Sequence, residues 1–94
     1  MTRTIKHTTQ FKRDYRREKK SGRYRTLDYD LLAIVELLIT DKPLPHKNYD
    51  HALTGEWKDH RDCHIKPDLI WIYRKPNNEV LELVRMGSHS ELGL

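Results

Sequence analysis

The sequence predicts an α+β fold in which a helical hairpin packs on a small, mainly antiparallel twisted sheet. Three observations indicate it: a basic segment with aromatic residues at helical spacing, an aliphatic stripe of helical period, and a final series of extended segments separated by turns. The predicted order of elements is β-α-α-β-β-β. A chain of 94 residues has room for one small domain, and we expect residues 1–94 to form it.

The first half of the chain supplies one strand and both helices. Residues 4–8 are rich in β-branched side chains, which favours a strand. Residues 10–20 place Phe11 and Tyr15 four positions apart and basic side chains around the opposite arc, which predicts an amphipathic helix. A second helix should begin at Thr26 or Asp28 and continue to about residue 40. Its apolar stripe is wide enough to cover one face of a sheet.

The second half predicts a meander of three strands. Residues 57–65 alternate, so Trp57, Cys63 and Ile65 should face one side of a half-buried strand and residues 58, 60, 62 and 64 the other. Residues 68–74 form a continuous apolar run typical of a central strand. A turn at residues 75–78 and a third strand at residues 79–85 complete the meander.

Positive charge is concentrated at one end of the chain. Ten of the eighteen Lys and Arg residues lie between Arg3 and Arg25, where Asp14 and Glu18 are the only acidic residues. Such a segment favours a polyanionic partner such as RNA, although a solvated helix face is the alternative. The candidate RNA-binding residues on the helix are Lys12, Arg13, Arg16, Arg17, Lys19 and Lys20. Arg61 could face the same ligand or pair with Asp59.

Composition argues against a secreted or membrane protein. A single cysteine cannot form an internal disulfide, and the first twenty residues are too polar for a secretory signal. The apolar runs fall short of the roughly 20 residues needed to span a bilayer. We therefore expect a cytoplasmic protein without membrane contact.

Three histidines, one aspartate and one arginine form the candidate catalytic set. Neighbouring strand ends should bring His64, Asp68 and Arg85 together, and His51 and His89 lie where a loop and the tail can reach them. Cleavage of RNA through its 2′-hydroxyl needs a base, a cation for the charged phosphorane and an acid, but no metal. Histidine, aspartate and arginine can supply these roles.

Two other chemistries fit the sequence less well. His60, Cys63 and His64 would point to different faces of a strand, and no second pair of ligands completes a zinc site. Cys63 shares its predicted face with apolar residues, so we interpret it as a core residue rather than a nucleophile. We expect neither a cofactor nor a metal.

Residues 50–68, followed by Ile72-Tyr73 and residues 85–92, resemble the YafQ toxins of the RelE superfamily, which belong to bacterial toxin–antitoxin modules. The resemblance implies a RelE-like fold and a metal-independent endoribonuclease, an mRNA interferase that cuts mRNA in the A site of a translating 70S ribosome. It also implies a cognate antitoxin, ribbon-helix-helix and DinJ/RelB-like. We expect the toxin alone to be monomeric.

By position, the resemblance assigns function to His51, His64, Asp68 and His89, with Arg85 as the cation that stabilises the phosphate. It implies His64 and Asp68 as candidates for the base and for local orientation, and His89 for the acid.

Two departures concern aromatic residues: some relatives have tryptophan where this chain has Leu69, and many have phenylalanine where it has Gly93. Two alternatives therefore stay open. One is a non-catalytic RNA- or partner-binding module that uses the basic helix at residues 10–20, and the other is an attenuated toxin that acts mainly as a partner for its antitoxin.

Overall fold

A five-stranded mixed sheet organises the fold. The structure is a computed structural model, and it describes residues 2–94. The sheet has the order β1-β5-β4-β3-β2; β1 runs parallel to β5, and the other neighbours are antiparallel. This arrangement confirms the predicted α+β class. The strands are β1 (Thr4–His7), β2 (His51–Ala52), β3 (Arg61–Lys66), β4 (Leu69–Arg74) and β5 (Val80–Gly87).

The predicted helical hairpin is α1 (Thr9–Ser21) and α2 (Leu27–Ile39). Thr8 caps α1 because its hydroxyl accepts a hydrogen bond from the Phe11 amide at 2.9 Å. Gly22 ends α1 in the left-handed conformation, at φ 67°, which a residue without a Cβ adopts readily. The helices cover the first face of the sheet, where the main core contains Phe11, Leu27, Ile34, Val35, Leu38, Cys63, Trp71, Leu81 and Met86.

The second face of the sheet carries the polar residues considered below. Its smaller apolar cluster is formed by Ile70, Ile72, Val84 and Leu92, the last from a short helix, α3 (His89–Leu92). In the strand register, Asp62 is opposite Ile72, and Ile72 is opposite Arg85. His64 is likewise opposite Ile70. Since directly opposed residues share a face, Asp62, His64 and Arg85 belong to this second face.

The segment before β3 differs from its prediction. Residues 55–57 form a 3-10 helix, and the strand begins only at Arg61. Asp59 lies between them at φ 69°, so the alternation cannot be extended back through it. Trp57 packs against the second-face cluster, whereas Cys63 and Ile65 lie in the main core. The prediction that these three residues share a side is therefore wrong for Trp57.

Other boundaries shift by a few residues. Asp68 lies in the turn before β4 rather than in the strand, and β5 continues to Gly87 instead of ending at residue 85. The two-residue strand β2 and the helix α3 were not predicted. Within residues 2–94, none of the helices is long and apolar enough to cross a membrane.

Candidate active site

His89 and Asp68 form the central pair of the candidate site. Nδ1 of His89 lies 3.1 Å from Oδ1 of Asp68, and the His89 amide points to the same oxygen at 3.4 Å. These hydrogen bonds, from the side chain first and the backbone second, hold the pKa of Asp68 below its usual value. A carboxylate can only accept, so we assign the proton to Nδ1 of His89. Within residues 2–94, its Nε2 forms no hydrogen bond.

The short helix α3 fixes the position of His89. The hydroxyl of Ser88 accepts from the Glu91 amide, and the Glu91 carboxylate accepts from the Ser88 amide, a reciprocal capping box. Leu92 on the next turn is buried in the second-face cluster. The helix is thus anchored at both ends, and His89 is held at the rim of the sheet.

His64 joins this pair from strand β3. Its ring centroid lies 5.2 Å from that of His89, and the two rings meet edge to face at 65°. The ring of Tyr49 also lies next to His64, with the ring centroids 5.2 Å apart and an angle of 54° between the ring planes. His64, Asp68 and His89 therefore lie together, and the side chain that Asp68 contacts is that of His89.

His51 approaches from β2 over a buried carboxylate. Its Nδ1 lies 2.8 Å from the Tyr49 carbonyl and 3.0 Å from Oδ1 of Asp62. A carbonyl only accepts, so Nδ1 carries the proton. Its N–H is directed at the Tyr49 carbonyl, and Asp62 Oδ1 accepts no hydrogen bond from the described residues despite the short distance. In the part of the chain that the structure describes, Nε2 of His51 forms no hydrogen bond, and the same holds for Nε2 of His89.

Asp62 is a site residue that the sequence reasoning missed. It is 3% exposed, and burial raises its pKa, although the positive charges of His51, His64 and His89 oppose the rise. The alternation of β3 had placed it on the same side as His64, but nothing in the pattern showed that its carboxylate is buried. It forms the floor beneath the histidines.

Arg85 is held on the same face by helix α1. Its Nε donates to Oδ2 of Asp14 at 2.8 Å, and the Met86 amide donates to the same oxygen at 3.0 Å. Asp14 is fully buried, while the Arg85 side chain is 25% exposed. Within residues 2–94, Arg85 forms no hydrogen bond or ion pair with the histidines. Arg85 lies on β5 and Asp62 on β3, with Ile72 of β4 between them.

The predicted cationic surface on α1 is only partly free. Arg17 turns towards the sheet, where it approaches Glu91 at 3.3 Å and donates to the Met86 carbonyl at 3.2 Å. Lys19 pairs with Asp28 at 2.6 Å. All six cations of this surface are exposed, but among the described residues Lys12, Arg13, Arg16 and Lys20 are the ones that form no ion pair. RNA binding by this helix stays a prediction.

Two further sequence interpretations have definite outcomes. Arg61 pairs with Asp50 at 3.2 Å, so the alternative pairing with Asp59 is wrong. Asp50 also accepts from the Tyr73 hydroxyl at 2.6 Å, which fixes it between the two side chains. Cys63 is fully buried and burial raises its pKa, so its interpretation as a core residue is confirmed.

Known proteins match this chain over almost its whole length. Residues 3–93 match the family described as "Bacterial toxin of type II toxin-antitoxin system, YafQ". The "mRNA interferase toxin YafQ" of Escherichia coli K12 is 36% identical over 90 residues, covering 94% of this chain and 97% of that protein. The predicted enzyme class, endoribonuclease, is that of relatives with this name.

Two solved structures are also similar. The Escherichia coli DinJ–YafQ toxin–antitoxin complex contains a chain with a TM-score of 0.83 and 33% identity, with 98% of each chain covered. A metal-bound toxin from Helicobacter pylori has a TM-score of 0.84 and 42% identity, covering 98% of this chain and 99% of that one. Within residues 2–94 of the present chain, no group of three or more His, Cys, Asp or Glu side chains is arranged to hold a metal ion.

These similarities agree with the architecture described above and with the RelE-like fold that the sequence resemblance implied. They extend over both the helical hairpin and the sheet that carries the histidines. The chain therefore belongs to the YafQ family, the bacterial toxins of type II toxin–antitoxin systems.

Proposed function

We propose that this chain, residues 1–94 acting as one toxin domain, is a ribosome-dependent endoribonuclease that cuts mRNA in the ribosomal A site. The observation that carries the proposal is the hydrogen bond between Asp68 and His89 beside the ring of His64. This group joins a proton-transfer pair to an orienting carboxylate on an open surface. Such groups are what metal-independent attack by a 2′-hydroxyl requires.

The proposed reaction needs three contributions from the protein. His64 removes the proton from the 2′-hydroxyl, whose oxygen attacks the adjacent phosphorus. Arg85 stabilises the negative charge that develops on the phosphorane oxygens. Protonated His89, held by Asp68, gives its proton to the departing 5′-oxygen. The products are a 2′,3′-cyclic phosphate and a free 5′-hydroxyl, and no oxidant or metal takes part.

His51 is proposed to share the proton transfers. Its Nδ1 is fixed by the Tyr49 carbonyl, so its free Nε2 can accept a proton from the substrate or return one. The carboxylate of buried Asp62 lies 3.0 Å from the same Nδ1.

Binding of the ribosome is supported by the charge on α1. The site is a surface on the sheet rather than a deep cleft, so a partner must hold the mRNA in place. Exposed cations at Lys12, Arg13, Arg16, Lys20 and, less freely, Arg17 and Lys19 provide sequence-independent attraction to RNA phosphates. Arg61 is proposed as a weaker contributor because Asp50 partly neutralises it.

We further propose that a cognate ribbon-helix-helix antitoxin inhibits the toxin. Support comes from the Escherichia coli relative, whose structure was solved with DinJ. Without the antitoxin, the toxin is proposed to be monomeric and to act in the cytoplasm.

The proposal is tested by mapping the 5′ ends of cleaved messages after brief induction in a bacterium. His64→Ala and His89→Ala should lower the cleavage rate by about 10²–10⁴-fold, because each removes a proton-transfer group. Circular dichroism should show that both variants stay folded. The matched control is His46→Ala, which removes an exposed histidine outside the group. In-frame cuts that persist in both catalytic variants would show that the site is wrongly assigned.

The same experiment separates the enzyme from a binding module. If the basic helix were the whole function, Arg16→Glu should abolish growth arrest while the histidine variants arrest growth like the wild type. An attenuated toxin would produce no discrete cuts but would still bind its antitoxin.

A further inference from the structure

Tyr49 is an aromatic residue that the proposed reaction leaves without a role. Its side chain is exposed, at 66%, although its ring lies only 5.2 Å from the imidazole of His64. Large aromatic side chains normally bury much of their surface. An exposed ring beside a proton-transfer group is therefore a candidate for contact with a substrate.

The backbone holds Tyr49 in an unfavourable conformation. Its φ of 46° and ψ of 48° lie in the left-handed region, which side chains with a Cβ rarely adopt. Such conformations persist where the surrounding structure enforces them, and they cluster at functional sites. The backbone conformation of Tyr49 is thus imposed by its neighbours.

Three hydrogen bonds impose that position, and two of them lead to the candidate site. The Tyr49 amide donates to the His46 carbonyl at 3.1 Å, and the Tyr49 carbonyl accepts from Nδ1 of His51. The buried side chain of Asn48 donates to the His64 carbonyl at 2.8 Å. Because the loop is hydrogen-bonded to both His51 and His64, the backbone of Tyr49 is held close to the proton-transfer groups.

A groove that could hold single-stranded RNA begins at this ring. It has a volume of about 520 Å³, and its lining includes Lys47, Tyr49, His64, Lys66 and Pro67. Lys66 is paired with Asp30 at 2.7 Å, whereas Lys47 is exposed. An exposed aromatic face next to cations is the combination by which proteins stack a base and hold its phosphate.

We propose that Tyr49 stacks on a nucleobase of the mRNA next to the scissile phosphate. The inference rests on the proposed ribonuclease function and adds a substrate contact to it. Gly93, where many relatives have phenylalanine, has no side chain that could stack on a base. Tyr49 would provide an aromatic ring from a different part of the chain. In this chain the aromatic ring would come from the loop before β2 and not from the segment after α3.

The test measures single-turnover cleavage of A-site mRNA on programmed ribosomes as a function of toxin concentration. Tyr49→Asn removes the ring but tolerates the left-handed backbone. It should lower the rate at subsaturating toxin by roughly 5- to 150-fold, the range expected for loss of one stacked base. Tyr49→Phe keeps the π-face and should match the wild type. Tyr29→Ala, which removes an exposed tyrosine of α2, is the control.

A message with an abasic nucleotide identifies the contact directly. At one codon position, loss of the base should slow the wild type but add nothing to the defect of Tyr49→Asn. If Tyr49→Asn instead lowers only the saturating rate and shifts its pH profile, the ring merely positions His64 and the inference is wrong. The inference is also wrong if the wild type cleaves and Tyr49→Asn cleaves at the same rate. A wild type that cuts nothing overturns the proposed function itself.

Discussion

Asp14 and Arg85 are joined across 71 residues of sequence, with Oδ2 of the buried carboxylate accepting from Nε of the guanidinium at 2.8 Å. One comes from a helix on the first face of the sheet, and the other from a strand position on the second. The proposed phosphate-binding cation is thus oriented by a residue that cannot touch the substrate. Asp14 is a positioning residue for Arg85.

We expect Asp14→Ala to lower the free energy of unfolding by about 3 kcal/mol, because it removes one partner of a buried ion pair. Cleavage should fall by up to about 100-fold because the guanidinium loses its orientation. Urea titration and single-turnover kinetics measure the two effects. The control Asp28→Ala removes a carboxylate from the exposed pair with Lys19 and should leave both quantities nearly unchanged.

The same carboxylate should make stability sensitive to acid. Burial alone would raise the pKa of Asp14, but hydrogen bonds from Arg85 and Met86 outweigh burial and hold the pKa below its usual value. Its stabilising contribution is present above the unfolded pKa and is lost as pH falls through the folded one. Asp14→Asn should therefore lose less stability than the wild type as pH falls from about 5 to about 2. The unfolding midpoints of the two proteins, measured by thermal melts over this pH range, give the comparison. Equal losses would contradict the assignment.

Asp62→Asn should have the opposite effect on stability. Because burial raises the pKa of Asp62, ionising it costs free energy, and stability declines as pH rises through the folded pKa. The neutral amide should raise the unfolding midpoint at pH 7 by about 4 °C. The gain should shrink as pH falls through the raised pKa of Asp62, because the wild-type carboxyl becomes neutral there. Asp59→Asn, at an exposed carboxylate, should show no such trend.

Arg16→Gln should weaken RNA binding in a way that depends on salt. If Arg16 contacts one phosphate, the slope of log affinity against log salt should become shallower by about 0.7–0.9. Filter binding or fluorescence anisotropy with ribosomes measures the slope. Lys42→Gln removes an exposed charge after α2, outside the cationic face, and should leave the slope unchanged. Identical slopes in the two variants would remove α1 from the binding surface.

Gly87→Ala should disturb the support of His89. A Cβ at Gly87 would lie 3.3 Å from Nη2 of Arg17 and 3.4 Å from Cβ of Glu91, in the capping box of α3. We expect a loss of about 1 kcal/mol in stability and a lower cleavage rate, measured by denaturant titration and kinetics. In an Arg17→Ala background the first contact disappears, so the penalty of Gly87→Ala should be smaller there. An unchanged penalty would assign the strain to α3 alone.

The sequence predicts those elements whose pattern is local. Phe11 and Tyr15 define the buried side of α1, and the apolar run of residues 69–74 identifies the central strand. Asp14 could not be recognised as buried because its partners, Arg85 and Met86, lie on a distant strand. The alternation before β3 failed at Asp59, where a left-handed residue separates Trp57 from the strand.

The sequence likewise predicts those parts of the candidate site that depend on strand register and turns. Strand register explains why His64 and Arg85 share a face, and turn position explains why Asp68 lies near the end of β5. The partner of Asp68, His89, depends on the capping of a four-residue helix, which no periodic pattern shows. Tyr49 had no sequence signal because its importance comes from a backbone conformation and from a neighbouring ring.

The parallel pairing of β1 with β5 also has a consequence for the order in which the protein becomes active. Thr4 pairs with Val80, so β1 can join the sheet only after β5 has been synthesised. A nascent polypeptide that has not reached Val80 lacks this partner strand, and it lacks Arg85 and His89 as well. On the proposed function, such a fragment lacks two of the proposed reactive groups and should not cut the message of the ribosome that is making it.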